Sequence, residues 1–329
     1  MTDRPPPSEF ELIARYFAPL AANAPGALGL TDDAALAKPP SGHHHVITTD
    51  TMIQGVHFLA DDPPGLIARK LLRVNLSDIA SMGAVPRYYL LAFSLSAGIG
   101  ESWIAEFAAG LKADQDEFGV TLLGGDTTAT PGPVTLTLTA IGEVPDGAEI
   151  RRSTARAGDL IYVSGTIGDA ALGVRLLTGE ISGLSGKAAA ELADRYRLPR
   201  PRVTLGPALR GLATAMTDIS DGLVADLGHI CETSGVGARV EWARVPLSTE
   251  AVEAVARDPS AVQIILTGGD DYELAFTADP ESAEAVESVA LAAGVPITCI
   301  GHVTDTEAVA VLDEKNIQID FKTIGYKHF

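Results

Sequence analysis

Six short segments of this chain set an aspartate beside hydroxyl, amide or glycine residues. They are Thr31-Asp32-Asp33, Thr48-Thr49-Asp50, Asn75-Leu76-Ser77-Asp78, Gly124-Gly125-Asp126-Thr127, Asp218-Ile219-Ser220-Asp221-Gly222 and Gly268-Gly269-Asp270-Asp271. Such oxygen-rich sets suit Mg²⁺, a hard cation held by one or two carboxylates together with substrate phosphates. The hydroxyls of Thr48, Thr49 and Ser220 can add ligands or phosphate contacts. Gly124 and Gly125 let backbone N–H groups come close to an anion. Taken singly, each segment also reads as a helix cap or turn, and Asp32, Asp78 and Asp271 fit that reading most easily. Their number argues against caps alone, and carboxylates that converge need cations to offset their repulsion.

The net charge of −19 bears on the same point. A chain this acidic repels nucleic acid and anionic membranes unless a basic patch intervenes, and none is visible. It also repels phosphates unless metal cations intervene. No apolar run reaches the ~18–20 residues of a membrane helix. MTDRPPPSEF lacks the basic-then-apolar pattern of a signal peptide, so a cytoplasmic protein is expected. Cys231 and Cys299 fit no metal spacing and read as buried small residues.

Other groups carry weaker signals. His43-His44-His45 reads as solvated histidines in a polar loop before a strand. His57 is a candidate phosphate contact, and Arg151 and Arg152 are candidate anion contacts. Ser164–Asp169 opens a helix whose N-terminus could take a phosphate, but it is not G-x-G-x-x-G. There is no P-loop, no H-R-D catalytic loop and no G-x-S-x-G elbow, so an ATP site must use another architecture.

The elements that position these groups follow from periodicity. Residues 9–22 predict a helix, 45–50 a strand, and 65–82 a helix broken by Gly83 and Pro86. Strand 88–96, helix 101–119, strand 120–128 running into a glycine-rich loop, and strand 134–144 follow. The turn-rich stretch 145–158 marks a boundary between residues 1–148 and 149–329. Beyond it come a strand, loop and helix (159–177), an irregular stretch (179–203), and a strand, acidic turn and helix (212–235). Two strands around an acidic loop (262–278) and a strand at 295–304 complete the pattern. At roughly 100–200 residues per domain, a chain of 329 residues makes two. The alternation predicts α/β or α+β domains whose strand ends carry the acids.

In order along the chain, these segments resemble the thiamine-monophosphate kinase family of the aminoimidazole ribonucleotide synthetase-like superfamily. The resemblance rests on Gly29-x-Thr31-Asp32-Asp33-Ala34-Ala35, Thr48-Thr49-Asp50 and Gly55-x-His57-Phe58. It continues through Val74-Asn75-Leu76-Ser77-Asp78-Ile79-Ala80-x-Met82-Gly83-Ala84 and Gly124-Gly125-Asp126-Thr127. Asp218-Ile219-Ser220-Asp221-Gly222-Leu223, Gly268-Gly269-x-Asp271-Tyr272-Glu273-Leu274 and Gly325-Tyr326-x-His328-Phe329 complete it. Two positions depart from the family pattern: Asp270 stands where glutamate is frequent, and Thr31 where glycine is usual.

The resemblance implies a two-domain fold. The N-terminal domain (1–148) would bind ATP and Mg²⁺ and form a homodimer through its sheet. The C-terminal α/β domain (149–329) would close a cleft holding ATP and thiamine monophosphate. It implies several Mg²⁺ ions on Asp33, Thr48, Thr49, Asp50, Asp78, Asp126, Asp218 and Asp221. Gly125, Asp126, Arg152 and Ser220 would bind the nucleotide, and His57, Asp270 and Tyr326 would contact thiamine monophosphate. The reaction implied is phosphoryl transfer to a substrate phosphate, giving thiamine diphosphate and ADP. A phosphomonoester is largely ionised at neutral pH, its second pKa being about 6, so no general base is required. Two alternatives stay open: another ATP-dependent enzyme of the superfamily, and a nucleotide- or metal-binding regulator without turnover.

Overall fold

The computed structural model describes residues 9–322 and 324–326, so His328 and Phe329 of the terminal motif lie outside the described residues. The chain divides into two compact units. One runs to Ile79 and resumes from Ala84 to Asp146; the other takes in Ala80–Gly83 and the chain from Gly147.

In the first unit the predicted N-terminal helix is broken into short pieces. These are α1 (Glu9–Leu12), a π turn (Ile13–Phe17) and a 3₁₀ turn (Ala18–Ala21). Pro19 lies in the first turn of the last piece, where a residue without N–H cannot continue the preceding ladder. Then follow β1 (His43–Ile53), α2 (Pro64–Ser81), β2 (Val85–Ser96), α3 (Glu101–Phe118), β3 (Thr121–Thr130) and β4 (Thr135–Pro145). The strands form one sheet in the order β1-β4-β2-β3, with β2 and β3 parallel and the other neighbours antiparallel.

Helices α2 and α3 cross closely, since a Cβ on Gly110 would sit 2.2 Å from the Gly65 carbonyl oxygen. Arg73 of α2 donates to both carboxylate oxygens of the buried Asp114 of α3, at 2.7 and 2.9 Å. Two sequence readings change here. His43, His44 and His45 begin β1 opposite Pro145, Val144 and Glu143, rather than lying in a loop. Gly124-Gly125-Asp126-Thr127 lies within β3, not in a loop after it. A Cβ on Gly125 would stand 1.8 Å from the Leu91 carbonyl oxygen, so glycine lets β3 press against β2.

The second unit holds β5 (Leu160–Ser164), α4 (Asp169–Leu177), α5 (Gly186–Arg197), α6 (Leu205–Ala208), β6 (Ala213–Asp218), α7 (Leu223–Ser234) and β7 (Gly237–Glu241). It continues with α8 (Thr249–Arg257), α9 (Ala261–Thr267), β8 (Leu274–Ala278), α10 (Ala283–Ala293), β9 (Ile297–Thr304) and β10 (Val309–Leu312). Its sheet runs β10-β7-β9-β5-β8-β6, antiparallel except between β10 and β7. Period-2 alternation puts apolar side chains on both faces. Ile161 and Val163 of β5 join one core with Ile219, Leu227 and Ile265, and Tyr162 joins another with Met216 and Phe276.

The stretch 179–203 is more regular than its charged composition suggests. Ala188, Leu192 and Tyr196 line one buried face of α5, and the Ser185 hydroxyl caps it by accepting the Ala188 N–H. Residues 262–267, expected as a strand, form α9. A short apolar run does not distinguish strand from helix, and burial at Ala261, Ile265 and Leu266 follows a helical period. Among the described residues, no helix is long and apolar enough to cross a membrane.

Candidate active site

Thr48 and Asp50 are two residues apart on β1 and so share a face. Asn75 and Asp78 are three apart on α2 and share a helix face. The two faces meet. The Thr48 hydroxyl donates to Asp78 Oδ2 at 2.6 Å, and the Asp50 N–H donates to Asn75 Oδ1 at 3.1 Å. Asn75 is itself fixed by donating to the Leu71 carbonyl at 2.9 Å. Burial, reinforced by the Asp78 charge, pushes the Asp50 carboxyl up to about 6. An all-oxygen donor set in which a second negative charge is penalised is what a hard divalent cation relieves, so these residues fit Mg²⁺. Thr49 does not join them. Its hydroxyl lies on the other face, donating to the Leu138 carbonyl at 3.1 Å and lying 3.0 Å from the Thr139 hydroxyl.

His57 follows a turn at Gly55, whose φ is +83°. Its Nδ1 accepts the Ile53 N–H at 3.1 Å, which leaves Nε2 as the proton-bearing nitrogen. The buried Lys70 ammonium donates to the His57 carbonyl at 3.1 Å and holds the turn. Asp33 and Asp126 gather elsewhere in the first unit. They line a cavity of about 1120 Å³ together with Gly29, Thr31, Asp32 and Gly125.

In the second unit, β6 delivers the buried Asp218 to a loop that turns into α7. Asp226, in the first turn of α7, accepts the N–H groups of Ser220, Asp221 and Gly222, each at 3.0 Å through one oxygen. Burial outweighs those bonds and pushes its carboxyl up to about 6. Gly222 has φ +123°, and a Cβ there would lie 2.8 Å from the Thr267 carbonyl carbon.

The 268–273 segment runs alongside this loop. Asp270 N–H donates to the Ser220 carbonyl at 2.9 Å, and Tyr272 N–H donates to the Ile219 carbonyl at 2.8 Å. Asp270 and Tyr272 both take positive φ, +73° and +51°, and the Tyr272 hydroxyl donates to Asp270 Oδ1 at 3.2 Å. The Tyr326 N–H donates to the Asp221 carbonyl at 3.1 Å. Ser220, Asp221, Asp270 and Tyr326 are thus held by a shared set of backbone bonds. Arg152, by contrast, is exposed on a short 3₁₀ turn, its carbonyl accepting from the Ser234 hydroxyl at 2.9 Å.

Several acids and thiols have other roles. Asp271 is buried and accepts the Gly168 N–H at 2.7 Å, so it caps α4, the helix whose start was a candidate phosphate site. That N-terminus is already served by an internal carboxylate. Glu273 is fully buried and accepts from the Ser164 hydroxyl at 2.6 Å, from Arg195 at 2.9 Å and from Arg202. Cys231 is buried and its thiol is pushed up to about 11, whereas Cys299 is only partly buried, contrary to expectation.

Asp226 and His229 belong to none of the sequence motifs. With Asp221 they bring ligand-capable atoms within 4.8 Å of one another. The available signal was their spacing of three on α7, directly after the acidic turn.

The family model described as AIR synthase related protein, N-terminal domain, matches residues 31–144, and its C-terminal domain counterpart matches 156–314. Thiamine-monophosphate kinase of Caulobacter vibrioides is 44% identical over 326 residues, covering 98% of this chain and 91% of the relative. The chain belongs to the thiamine-monophosphate kinase family. The fold agrees. A crystal structure of thiamine-monophosphate kinase from Stenotrophomonas maltophilia aligns with a TM-score of 0.83 at 42% identity, covering 92% of this chain and 96% of that one. The structure of AaThiL complexed with AMPPCP and TMP aligns with a TM-score of 0.78 at 29% identity, covering 91% of each chain.

Proposed function

We propose that this protein transfers the terminal phosphoryl group of ATP to the phosphate of thiamine monophosphate. A P–O bond forms to the acceptor oxygen, the β–γ bridge breaks, and ADP leaves with thiamine diphosphate as product. Near-full-length family membership supports this, as does the relative described with AMPPCP and TMP. The observation that carries it is the group of Thr48, Asp50, Asn75 and Asp78, an all-oxygen set with a desolvated carboxylate.

Several Mg²⁺ ions belong to the same reading. Asp33, Thr48, Asp50, Asp78 and Asp126 of the first unit, and Asp218 and Asp221 of the second, would hold them. Thr49 was part of the expected set, but its hydroxyl is engaged with β4. Bound Mg²⁺ supplies charge neutralisation between two polyanions, the main need of phosphoryl transfer.

The chain's own residues do the rest. Thr48 and Asn75 hold Asp78 and the Asp50 backbone in place. His57 is fixed in its turn by Nδ1 accepting the Ile53 N–H. Gly125, Asp126, Arg152 and Ser220 are assigned to ATP, and His57, Asp270 and Tyr326 to thiamine monophosphate. Residues 1–148 form the ATP- and metal-binding domain and 149–329 the C-terminal domain. A homodimer through the first unit's sheet is part of the proposal, supported by the exposure of Ile47 on edge strand β1. So is a cytoplasmic location, supported by two unpaired cysteines.

The test incubates the protein with ATP, Mg²⁺ and thiamine monophosphate and follows both products. Equimolar ADP and thiamine diphosphate are expected. ADP without thiamine diphosphate, or ATP binding without ADP release, overturns the reading.

A further inference from the structure

We infer that Asp226 is a positioning residue that sets the geometry of the Ser220-Asp221-Gly222 loop. This rests on the activity proposed above, which assigns Ser220 and Asp221 to nucleotide and metal. The loop joins β6 to α7, and its backbone N–H groups converge on a single atom: Asp226 Oδ2 accepts from Ser220, Asp221 and Gly222, each at 3.0 Å. A carboxylate oxygen accepting consecutive N–H groups fixes the direction of the intervening peptides, and with them the Cα–Cβ vectors of Ser220 and Asp221. Asp226 itself is 2% exposed, so water does not replace it as acceptor without reorganisation.

The surroundings hold the loop in the same arrangement. Gly222 can take φ +123° against Thr267 only because it lacks a Cβ. The Ser220 and Asp221 carbonyls, pointing the other way, accept from Asp270 and Tyr326. The loop is thus clamped by its N–H groups to Asp226 and by its carbonyls to two segments assigned to substrate. Asp226 acts through the peptides it holds and does not itself touch the reacting atoms. The nearness of Asp226 to Asp221 and His229 allows a competing role, as a further cation ligand.

Two substitutions separate these roles. Asp226→Asn keeps a carbonyl oxygen that accepts the same N–H groups but removes the charge; Asp226→Ala removes both. A clamp predicts that Asp226→Ala loses about 10²-fold in kcat, as for loss of a preorganising contact, and needs more Mg²⁺ for half-saturation. It predicts that Asp226→Asn stays within about fivefold in kcat with an unchanged Mg²⁺ requirement, since a neutral acceptor is only modestly weaker. Equal losses in both variants, with a raised Mg²⁺ requirement, make Asp226 a cation ligand and overturn the clamp. Undiminished turnover in Asp226→Ala overturns it too. Amide hydrogen exchange at residues 220–222 gives an arm independent of activity. Slow exchange in the unmodified protein and Asp226→Asn, with fast exchange in Asp226→Ala, supports the clamp even if no thiamine diphosphate forms, in which case the activity reading alone fails. Equally slow exchange in all three proteins removes the clamp.

Discussion

Asp271 accepts the Gly168 backbone N–H at 2.7 Å and so joins the acidic segment before β8 to the first turn of α4. Its other oxygen accepts the Ala170 N–H at 3.4 Å. Orphan N–H groups at a helix start need an acceptor, and here it comes from 101 residues away along the chain. This bond and the Glu273 pairs with Arg195 and Arg202 anchor the residues on either side of Tyr272, which like Asp270 has positive φ. A bulky residue in that conformation persists only when its surroundings over-determine it. Asp271→Ala should therefore destabilise the second unit by about 1–3 kcal/mol through lost capping and a buried N–H without an acceptor. Urea unfolding measures it, and an unchanged midpoint would show that the capping bond contributes nothing.

Asp50 should trade stability for function. Its carboxyl is pushed from 3.8 up to about 6 by burial and by Asp78, so the charged form is disfavoured in the folded protein. Asp50→Asn removes that charge and keeps the shape. In metal-free protein at pH 7.5 the variant is expected to be at least as stable as the parent, by up to about 3 kcal/mol. Turnover should fall by about 10²–10³-fold. Thermal unfolding with EDTA, set beside steady-state kinetics in Mg²⁺, checks both. A variant that is less stable and fully active contradicts the proposed role.

Thr48→Val tests the hydroxyl that donates to Asp78 at 2.6 Å. Valine has nearly the same shape and keeps the β-branch that suits β1. A hydrogen bond to a charged group contributes about 1.5–3 kcal/mol, so kcat/KM at limiting Mg²⁺ should drop by about 10–100-fold. The matching change at Thr49, whose hydroxyl faces β4, should cost far less. Equal losses at the two positions would mean that strand alternation does not separate their roles.

Much of this arrangement was legible in the sequence, and for identifiable reasons. β6, the acidic turn and α7 are legible because an apolar run, turn residues and a helical period follow one another there. The side of β1 that Thr49 faces follows from period-2 alternation, which motif matching ignores. Residues 262–267 misled because six residues of Val, Gln, Ile, Leu and Thr satisfy either period, and packing of Ile265 against Gly168 decides for α9. The acceptor role of Asp226 was hidden because it depends on three backbone N–H groups, which no side-chain pattern reports. Asp271 and Asp270 are neighbours in sequence with opposite duties, one buried under α4 and one at the loop, and only the fold separates them.

Asp226 contributes to the pH dependence of stability. Its folded-state carboxyl is raised from 3.8 to about 6, mainly by burial. The folded state therefore binds the proton more tightly than the unfolded state. Between pH 4 and 6 it carries more protons than the unfolded chain, so stability falls as pH rises through this window and levels off above it. The full effect is about 3 kcal/mol for a shift of this size. Asp50 is raised in the same direction and adds to the slope, so the protein to measure carries Asp50→Asn. In that background, without metal, adding Asp226→Asn should raise the melting temperature at pH 6 relative to that at pH 4, removing the decline that Asp226 contributes. A pH slope that Asp226→Asn leaves unchanged would mean that burial and the loop N–H groups cancel in setting the proton affinity of Asp226.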